Sequence, residues 1–590
     1  MRGAAGDVLL NRCAPAFGDG LGSMGGSERP NPRTVSNAVV YQAEPRPSTR
    51  DLNDLWWAFG QFLDHDITLT HDSHTEFIGI RVPSGDFAFD PDSTGAAMLP
   101  MMRSAGEPDD EGLRRYRNEL TAYIDAGNVY GSDAERAAYL RSFEGGRLRV
   151  TSANLPIFNT LNGEYAAPVD PNAPPMDGQR GPSHRLLVCG DARANENSLL
   201  ASLHVVWVRE HNRLCDSLAR AWPNASDEEL YQRARALVAG TLQHITNAEW
   251  LPAMGIELPD YTGYDPGVHA GISNEFAAAG FRFGHSLVGG ELELRGPDGE
   301  LSAASPLSLR EVFFDPVAVV REAGVDALLR GAAQHHQQEL DCEVVEDLRS
   351  FLFGAPGAGG LDLAAVNINR GRDRGLADFN AVRAELGLAP YADFAELTGA
   401  DRGLAARLQA VYDGVDDLDL WVGLLAEAKR DGVGETLRIL LTEQFERLRD
   451  GDRFYFEHDP GLGARERNWI AEQTLAGVIA RNTEVRLREA SFTVGGVSGS
   501  AFAKTDNGAV WRARIAGDAL TLSGLAAGAT VDVEIADPLG RRLGAWRGER
   551  VTGFGESRLL LNGVRPAGMR VVTVRMGAQA TSRVIWDAGG

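Results

Sequence analysis

The chain has 590 residues, of which 43% are hydrophobic and 24% are charged, as is typical of a globular protein with a large core. Its formal net charge of −24 argues against nucleic acid and anionic membrane surfaces as partners, because both would repel it. Its four cysteines include no CxxC pair, which argues against a disulfide framework and against a thiolate zinc site.

A change of pattern near residue 490 indicates two regions. Before it, helices are predicted over residues 51–63, 198–219, 228–251 and 467–481. After it, Val531, Val533 and Ile535 alternate with acidic residues, as in a strand with one buried face. We therefore predict a mainly α-helical domain with a small, sandwich-like all-β domain appended to it. The predicted boundaries are 1–27 for an N-terminal arm, 28–488 for the helical domain and 489–590 for the β domain.

The first predicted helix carries the most informative motif, in which Gln61, Asp64, His65 and Asp66 follow a run of aromatic residues. Gln61, Asp64 and His65 are spaced i, i+3 and i+4, so they share one helix face. Burying three polar groups together is costly unless they bind each other or a ligand. An exposed polar face, with Asp66 ending the helix, explains the spacing equally well.

Four further motifs follow along the chain, and each is weak alone. Residues 121–132 form a glycine-containing segment with oxygen-bearing side chains at alternate positions. Residues 189–197 read Cys-Gly-Asp-Ala-Arg-Ala-Asn-Glu-Asn, and residues 281–287 place a single histidine among apolar residues. Residues 366–373 read Val-Asn-Ile-Asn-Arg-Gly-Arg-Asp. A lone histidine in an apolar segment is more often a core residue than a ligand, so only the combination is informative.

In this order the five motifs resemble those of the animal haem peroxidases, members of the peroxidase–cyclooxygenase superfamily such as peroxidasin and myeloperoxidase. The resemblance runs from about residue 28 to residue 483. It implies a mainly α-helical fold around haem b, and a reaction with hydrogen peroxide through an oxidised ferryl haem. It also implies that halides, thiocyanate or phenols supply the electrons.

The resemblance assigns three residues to catalysis. His65 would be the acid–base group that moves a proton between the peroxide oxygens. Arg193 would stabilise the departing oxygen with its fixed charge, and it would also lower the pKa of His65. Gln61 would line the site of peroxide and halide.

Covalent links to the haem are implied as well. Asp64 and Glu196 match the carboxylates that form two ester bonds with the haem in this family. Asn197 stands where myeloperoxidase has a methionine bonded to a haem vinyl group. The third link is therefore expected to be absent.

On the other side of the haem, His285 would be the axial ligand of the iron. A metal-bound histidine usually donates its other N–H to an acceptor, and the resemblance assigns this role to Asn367. Contacts to the haem propionates are expected from Arg282, Arg370 and Thr70.

A calcium site is implied by the same resemblance. Its ligands would be Asp66, Thr121, the carbonyl of Tyr123, Asp125 and Gly127. Calcium prefers six to eight oxygen ligands, which such a loop can supply. The family usually has a serine where this chain has Gly127, so a carbonyl or a water would replace that hydroxyl.

Two other functions compete with a peroxidase. A fatty-acid dioxygenase of the superfamily would need a tyrosine about one helical turn before the iron-binding histidine, but Arg282 stands there and residues 277–280 include no tyrosine. An adhesive or matrix protein could use the same fold as a binding module. The complete set of catalytic residues favours the enzyme.

The expected location is secreted or at the cell surface. No apolar run reaches the roughly 18 residues that a membrane span needs, and residues 1–11 show no signal-peptide pattern. The β pattern after residue 490 weakly resembles the C-terminal sorting domains of bacterial type nine secretion. The oligomeric state is left open.

Overall fold

The computed structural model describes residues 2–178, 181, 183–313, 316–322, 324–430, 432–487, 490–494 and a set of strands beyond them. The chain forms two units, Met1–Val494 and Gly495–Gly590. The division falls after Val494 rather than after residue 488, because the segment before it is bonded to Asn53. The Asn53 side chain donates hydrogen bonds to the carbonyls of Ser491 and Thr493.

Helices are the main elements of the described part of the first unit. The longest are α1 (Asp54–Ile67), α2 (Ser198–Ala221), α3 (Asp227–Ile245), α4 (Leu363–Asp373) and α5 (Glu435–Asp450). Shorter α-helices are Pro32–Val35, Gly127–Tyr130, Ala134–Leu140, Leu251–Ala253, Asn274–Ala278, Leu309–Val312, Pro316–Glu322, Val325–Gln334, Glu346–Arg349, Phe379–Glu385, Phe394–Thr398, Arg402–Gln409, Leu420–Ala426, Ala464–Ala471 and Leu475–Asn482. Tighter 3-10 helices span Ala192–Asn195, Gly280–Ser286 and Val415–Asp417, and π-helical segments span Ser36–Val40 and Thr246–Trp250.

The helices predicted over 51–63 and 198–219 are confirmed with small shifts of their ends. The other two predicted helices are not continuous α-helices. The helix predicted over 228–251 changes to π-helical geometry at Thr246. The helix predicted over 467–481 is two helices, because the Thr474 side chain accepts a hydrogen bond from the backbone N–H of Gly477 and so starts a new one.

Strands in the first unit form only short antiparallel pairs. The pairs are Asp72–Phe77 with Met102–Ser104, Ile80–Arg81 with Met98–Leu99, Gly106–Pro108 with Arg114–Tyr116, Glu291–Leu292 with Leu307–Ser308, and Lys429–Arg430 with Val433–Gly434.

In the second unit the described residues are strands. They are β1 (Ala503–Lys504), β2 (Val510–Ala516), β3 (Ala519–Ser523), β4 (Thr530–Ala536), β5 (Arg542–Arg550), β6 (Ser557–Leu560), β7 (Gly568–Met576) and β8 (Gln579–Asp587). Their antiparallel pairing gives the sheet orders β1-β2-β3-β6 and β5-β4-β7-β8. The alternating pattern from Val531 to Ile535 lies in β4. The sandwich-like domain as a whole stays a prediction.

Helices α1 and α2 form the scaffold of the first unit. Each begins at an asparagine: Asn53 accepts a hydrogen bond from the N–H of Leu55, and Asn197 accepts one from the N–H of Leu200. Phe62 of α1 stacks on Trp207 of α2, with ring centroids 6.3 Å apart. Almost every residue of α2 before its last turns is buried, which explains why its sequence is apolar around most of the helix.

The predicted N-terminal arm is part of the first unit. The backbone N–H groups of Arg12 and Cys13 donate hydrogen bonds to the buried Glu275 carboxylate. All four cysteines are buried and unpaired. Among the described helices, none combines the length and apolarity needed to span a membrane.

Candidate active site

A cavity of about 310 Å³ brings together most of the predicted site residues. Its lining includes Gln61, Asp64, His65, Thr70, Arg193, Glu196, Arg282 and His285. These residues come from α1 and the segment just after it, from the Ala192–Asn195 turn and the residue after it, and from the Gly280–Ser286 helix. Asn367 and Arg370 do not line the cavity, and they lie on α4 behind it.

His65 is only 3% exposed, and its Nδ1 has no hydrogen-bond partner among the described residues. Burial, and then the charge of Arg193, hold the pKa of His65 well below its ordinary value. The imidazole is therefore neutral near neutral pH. A neutral imidazole in a cavity can accept a proton from a ligand.

Arg193 is fixed by two carboxylates. Its Nε and Nη2 each donate a hydrogen bond of 2.9 Å to Asp191, and its Nη1 lies 3.4 Å from Oδ2 of Asp64. Burial opposes the charge on Arg193, but the Asp191 carboxylate outweighs it and raises the pKa of the guanidinium. Asp191 Oδ1 also lies 3.8 Å from Nδ1 of His65. The sequence analysis missed Asp191, although its position two residues before Arg193 could have indicated a local ion pair.

Gln61 is hydrogen-bonded to both Glu196 and Asn197. Its amide nitrogen donates to Glu196, and its Oε1 accepts a hydrogen bond of 2.8 Å from Nδ2 of Asn197. Burial raises the pKa of Glu196 to about 8, so this carboxyl group is mostly protonated at neutral pH. Burial raises the pKa of Asp64 to about 6, although Arg193 opposes the shift.

His285 is paired with Asn367. The Asn367 Nδ2 lies 2.7 Å from Nδ1 of His285, and its Oδ1 accepts a hydrogen bond of 3.1 Å from Nη1 of Arg282. Burial, followed by the charge of Arg282, lowers the pKa of His285 to about 3. The ring is therefore neutral, and Nε2 is the nitrogen left to bind a metal.

The orientation of the Asn367 amide differs from the one expected beside a metal-bound histidine. In this structure its nitrogen, rather than its oxygen, faces Nδ1 of His285, because the oxygen is used by Arg282. Metal binding at Nε2 would leave the proton on Nδ1, which then needs an acceptor. The Asn367 amide would have to turn over for this purpose.

The arginine residues around the cavity are arranged differently from the prediction. Arg370 donates hydrogen bonds to Asp72 and to Asp373, so its guanidinium is already paired. Arg374 lines the cavity instead, and burial lowers its pKa to about 9. The sequence analysis missed Arg374. Thr70 does line the cavity, with its hydroxyl donating to the carbonyl of Arg117.

Three tryptophans also line the cavity, and none of them was among the predicted site residues. Trp56 and Trp250 are stacked, with ring centroids 4.6 Å apart and an interplanar angle of 14°. Each of the two donates its indole N–H to the backbone carbonyl of the other. Trp57 lines the cavity as well, and it donates its indole N–H to Asp54 over 2.8 Å.

The predicted calcium ligands lie together at the end of α1. Asp66 accepts backbone hydrogen bonds from Ala126 and Asn128, and Thr121 Oγ1 lies 3.1 Å from Asp125. Burial and the charge of Asp125 raise the pKa of Asp66 well above its ordinary value. Two buried carboxyl groups of like charge are costly without a cation between them.

Gly127 lies against the same two carboxylates. A β-carbon at this position would be 3.2 Å from Oδ1 of Asp125 and 3.4 Å from Oδ1 of Asp66. A serine hydroxyl at position 127 would therefore reach the candidate site, and the glycine leaves that space to another oxygen. The Tyr123 side chain points away, with its hydroxyl donating to the carbonyl of Arg2. The described residues hold no cluster of three or more acidic, histidine or cysteine side chains placed as metal ligands, so calcium would depend on these two carboxylates and on neutral oxygens.

Comparison with known families gives a match over most of the chain. Residues 1–492 match the family described as animal haem peroxidase. Peroxinectin A of Dictyostelium discoideum is 36% identical over 466 residues, which are 76% of this chain and 85% of that protein. The human peroxidasin homolog is 31% identical over 511 residues, which are 78% of this chain but only 33% of that longer protein.

Solved structures agree with the sequence matches. Peroxidase A of Dictyostelium discoideum superposes with a TM-score of 0.76 at 34% identity, covering 83% of this chain and 96% of that one. A fatty acid alpha-dioxygenase of Oryza sativa gives a TM-score of 0.69 at 21% identity, covering 84% of each chain. At that identity the likeness concerns the fold alone.

Proposed function

The chain belongs to the animal haem peroxidase family, and on that premise we propose that it reduces hydrogen peroxide and oxidises halides, thiocyanate or phenols. The family match makes it a haem-dependent peroxidase. The observation that carries the proposal is the pair formed by a neutral His65 and a fixed Arg193 cation in the cavity that His285 also lines.

The cavity fits a haem on the chemistry of its donors. His285 is neutral and offers Nε2 to iron, while Arg282 and Arg374 offer positive charge to propionates. The stacked tryptophans and neighbouring phenylalanines supply an apolar wall for the macrocycle. When bound, haem supplies the iron that exchanges electrons with peroxide and donor.

His65 and Arg193 divide the work on peroxide. His65 accepts the proton of one peroxide oxygen and returns it to the other oxygen as the O–O bond breaks. Arg193 stabilises the negative charge that grows on the departing oxygen, and Asp191 keeps the guanidinium in place for this role. Gln61, held by Glu196 and Asn197, lines the same space.

Two further features of the cofactor belong to the proposal. Asp64 and Glu196 line the cavity with raised pKa values, which supports their use as ester-forming carboxyl groups. Calcium bound by Asp66, Asp125, Thr121, the carbonyl of Tyr123 and an oxygen at Gly127 would tie the end of α1 to the loop before Gly127–Tyr130. Both features would make the side of the cavity formed by α1 rigid.

The lining disfavours a fatty-acid dioxygenase. Among the described residues that line the cavity there is no tyrosine, and Arg282 occupies the turn before His285. Phe281 and Phe283, which also line it, cannot form a phenoxyl radical.

The test is a donor panel on purified, haem-loaded protein. We expect a haem absorbance spectrum, consumption of hydrogen peroxide, and turnover of iodide, bromide, thiocyanate or a phenol. Oxygen uptake with a fatty acid, without peroxide turnover, would contradict the proposal.

The proposal extends to location and to the C-terminal region. We propose a secreted or cell-surface enzyme whose all-β domain, starting after Val494, serves in sorting. A chain ending at Val494 should then keep its haem and its peroxidase activity and lose its export. Loss of haem on this truncation would make the β region part of the catalytic fold.

A further inference from the structure

Trp57 differs from the other tryptophans at the cavity in the partner of its indole N–H. Trp56 and Trp250 donate to backbone carbonyls, whereas Trp57 donates to a carboxylate oxygen of Asp54. Trp57 is 5% exposed and Asp54 is 1% exposed, so the hydrogen bond is buried. The indole ring of a tryptophan is more easily oxidised than the phenyl rings that also line this cavity.

Helical spacing places Trp57 on the face of α1 that carries the catalytic residues. Gln61, Asp64 and His65 follow it at i+4, i+7 and i+8, and all of them line the cavity. An electron leaving the Trp57 ring would therefore move toward the space in which the haem is proposed to lie.

Asp54 links Trp57 to the protein surface. Its Oδ2 lies 2.7 Å from Nδ1 of His335, whose side chain is 26% exposed. A buried carboxylate stabilises a positive charge on the indole next to it, and it can also accept the indole proton. His335, at the other end of the carboxylate, extends this buried hydrogen-bonded chain to a partly exposed side chain.

We propose that Trp57 is a redox-active residue that supplies one electron during turnover, with Asp54 accepting its Nε1 proton. This inference rests on the proposed function, because hydrogen peroxide is the oxidant. It assigns the chain an internal oxidation site for one-electron donors such as phenols.

Reduction of one hydrogen peroxide to two waters consumes two electrons and two protons, and the protons come from solvent. Trp57 provides one electron and becomes an indole radical, its Nε1 proton moves to Asp54, and the haem group provides the other electron. A phenol then returns one electron to Trp57 and releases its own proton to solvent, leaving a phenoxyl radical, while the Asp54 proton goes back to Nε1. A second phenol, oxidised in the same way, replaces the other electron, so two phenols are oxidised for each hydrogen peroxide.

Freeze-quench electron paramagnetic resonance of the haem-loaded full chain tests the proposal. One equivalent of hydrogen peroxide is added without a donor. We expect an organic radical whose hyperfine structure narrows when the protein carries ring-deuterated tryptophan. The signal should be lost in Trp57→Phe, should decay faster in Asp54→Asn, and should be unchanged in Trp222→Phe, which alters an exposed tryptophan outside the cavity.

Several outcomes would overturn the inference. They are a signal that survives Trp57→Phe, a signal lost in Trp56→Phe but not in Trp57→Phe, and a wild-type signal that ring-deuterated tryptophan does not narrow. The last measurement needs no variant, so it holds even if Trp57→Phe fails to fold. Peroxide consumption by the same samples separates the two proposals: consumption without a tryptophan radical overturns only the role of Trp57, whereas no consumption overturns the peroxidase function.

Discussion

The carboxylate of Asp191 accepts two hydrogen bonds of 2.9 Å from Arg193, one from Nε and one from Nη2. Asp191 is 3% exposed, and the same carboxylate lies 3.8 Å from Nδ1 of His65, so it holds the guanidinium close to that imidazole. Catalytic cations are effective when they are held in place before charge develops.

Asp191→Asn should therefore slow the reaction with hydrogen peroxide by about tenfold or more. The expected loss is smaller than the roughly hundredfold that follows removal of a stabilising donor, because Arg193 is still present but less firmly held. Stopped-flow absorbance at matched haem content measures the rate. Asp177→Asn is the control, because the charge of Asp177 also acts on Arg193 but the hydrogen bonds described for the Arg193 side chain go to Asp191 and Asp64. An unchanged rate in Asp191→Asn would show that Arg193 is positioned by other contacts.

His65 and His285 should fail in different ways when each is replaced by alanine. His65→Ala should keep haem and its spectrum but react with peroxide at least about a hundredfold more slowly, because a general acid–base is gone. His285→Ala should lose haem or change its spectrum strongly, because the proposed iron ligand is missing. Haem absorbance and stopped-flow mixing separate the two, and an intact spectrum in His285→Ala would refute the axial assignment.

Extraction of the haem tests whether Asp64 and Glu196 form ester bonds with it. After turnover with peroxide, acidified organic solvent should leave the haem on the wild-type protein. Asp64→Asn and Glu196→Gln should each leave one link, and the double variant should release all of the haem. Before turnover the wild type should release it as well, which serves as the internal control. Free haem from the wild type after turnover would contradict the ester assignment.

Calcium removal should destabilise the first unit. Without a cation, burial and the charge of Asp125 make it costly to ionise Asp66 and raise its pKa, so a chelator should lower the unfolding temperature. A ligand present at 100 times its Kd stabilises by about 2.7 kcal/mol, which sets the scale of the loss. Added calcium should restore the temperature and magnesium should not, and Asp125→Asn should remove the difference. Equal unfolding temperatures with and without the chelator would argue against the site.

The His335–Asp54 pair predicts a dependence of stability on pH. Burial lowers the pKa of His335, but the hydrogen bond and charge of Asp54 outweigh it and raise the pKa above 6.5. The folded state thus binds the proton more tightly than the unfolded state, so the stabilisation is complete below pH 6.5 and is lost as the pH rises through the folded pKa. Urea unfolding at several pH values should show the wild type losing its advantage over His335→Gln. A constant difference across that range would contradict the pairing.

The sequence predicted what depends on neighbours along the chain. Helices α1 and α2 were predicted from their sequence patterns, and the i, i+3, i+4 spacing placed Gln61, Asp64 and His65 on one face. The family resemblance then supplied roles that the spacing could not. The predicted domain bounds stay a prediction; the chain divides after Val494, and hydrogen bonds from Asn53 hold residues 491 and 493 to the first unit.

Contacts between distant parts of the chain were beyond such reasoning. His335 and Asp54 are 281 residues apart, so the link from Trp57 to the surface exists only in the folded protein. Arg374 lines the cavity, whereas Arg370 of α4 is paired with Asp72 and Asp373. Neither placement can be read from spacing along the sequence.

Asn197 has two roles that constrain what evolution can place there. One end of its amide begins α2 through Leu200, and the other end holds Gln61 in the cavity. Replacing it with methionine, to gain a sulfur link to haem, would remove a helix cap of about 1 kcal/mol and release Gln61 at the same time. That single substitution would therefore weaken the start of α2 and free a residue of the cavity wall at once.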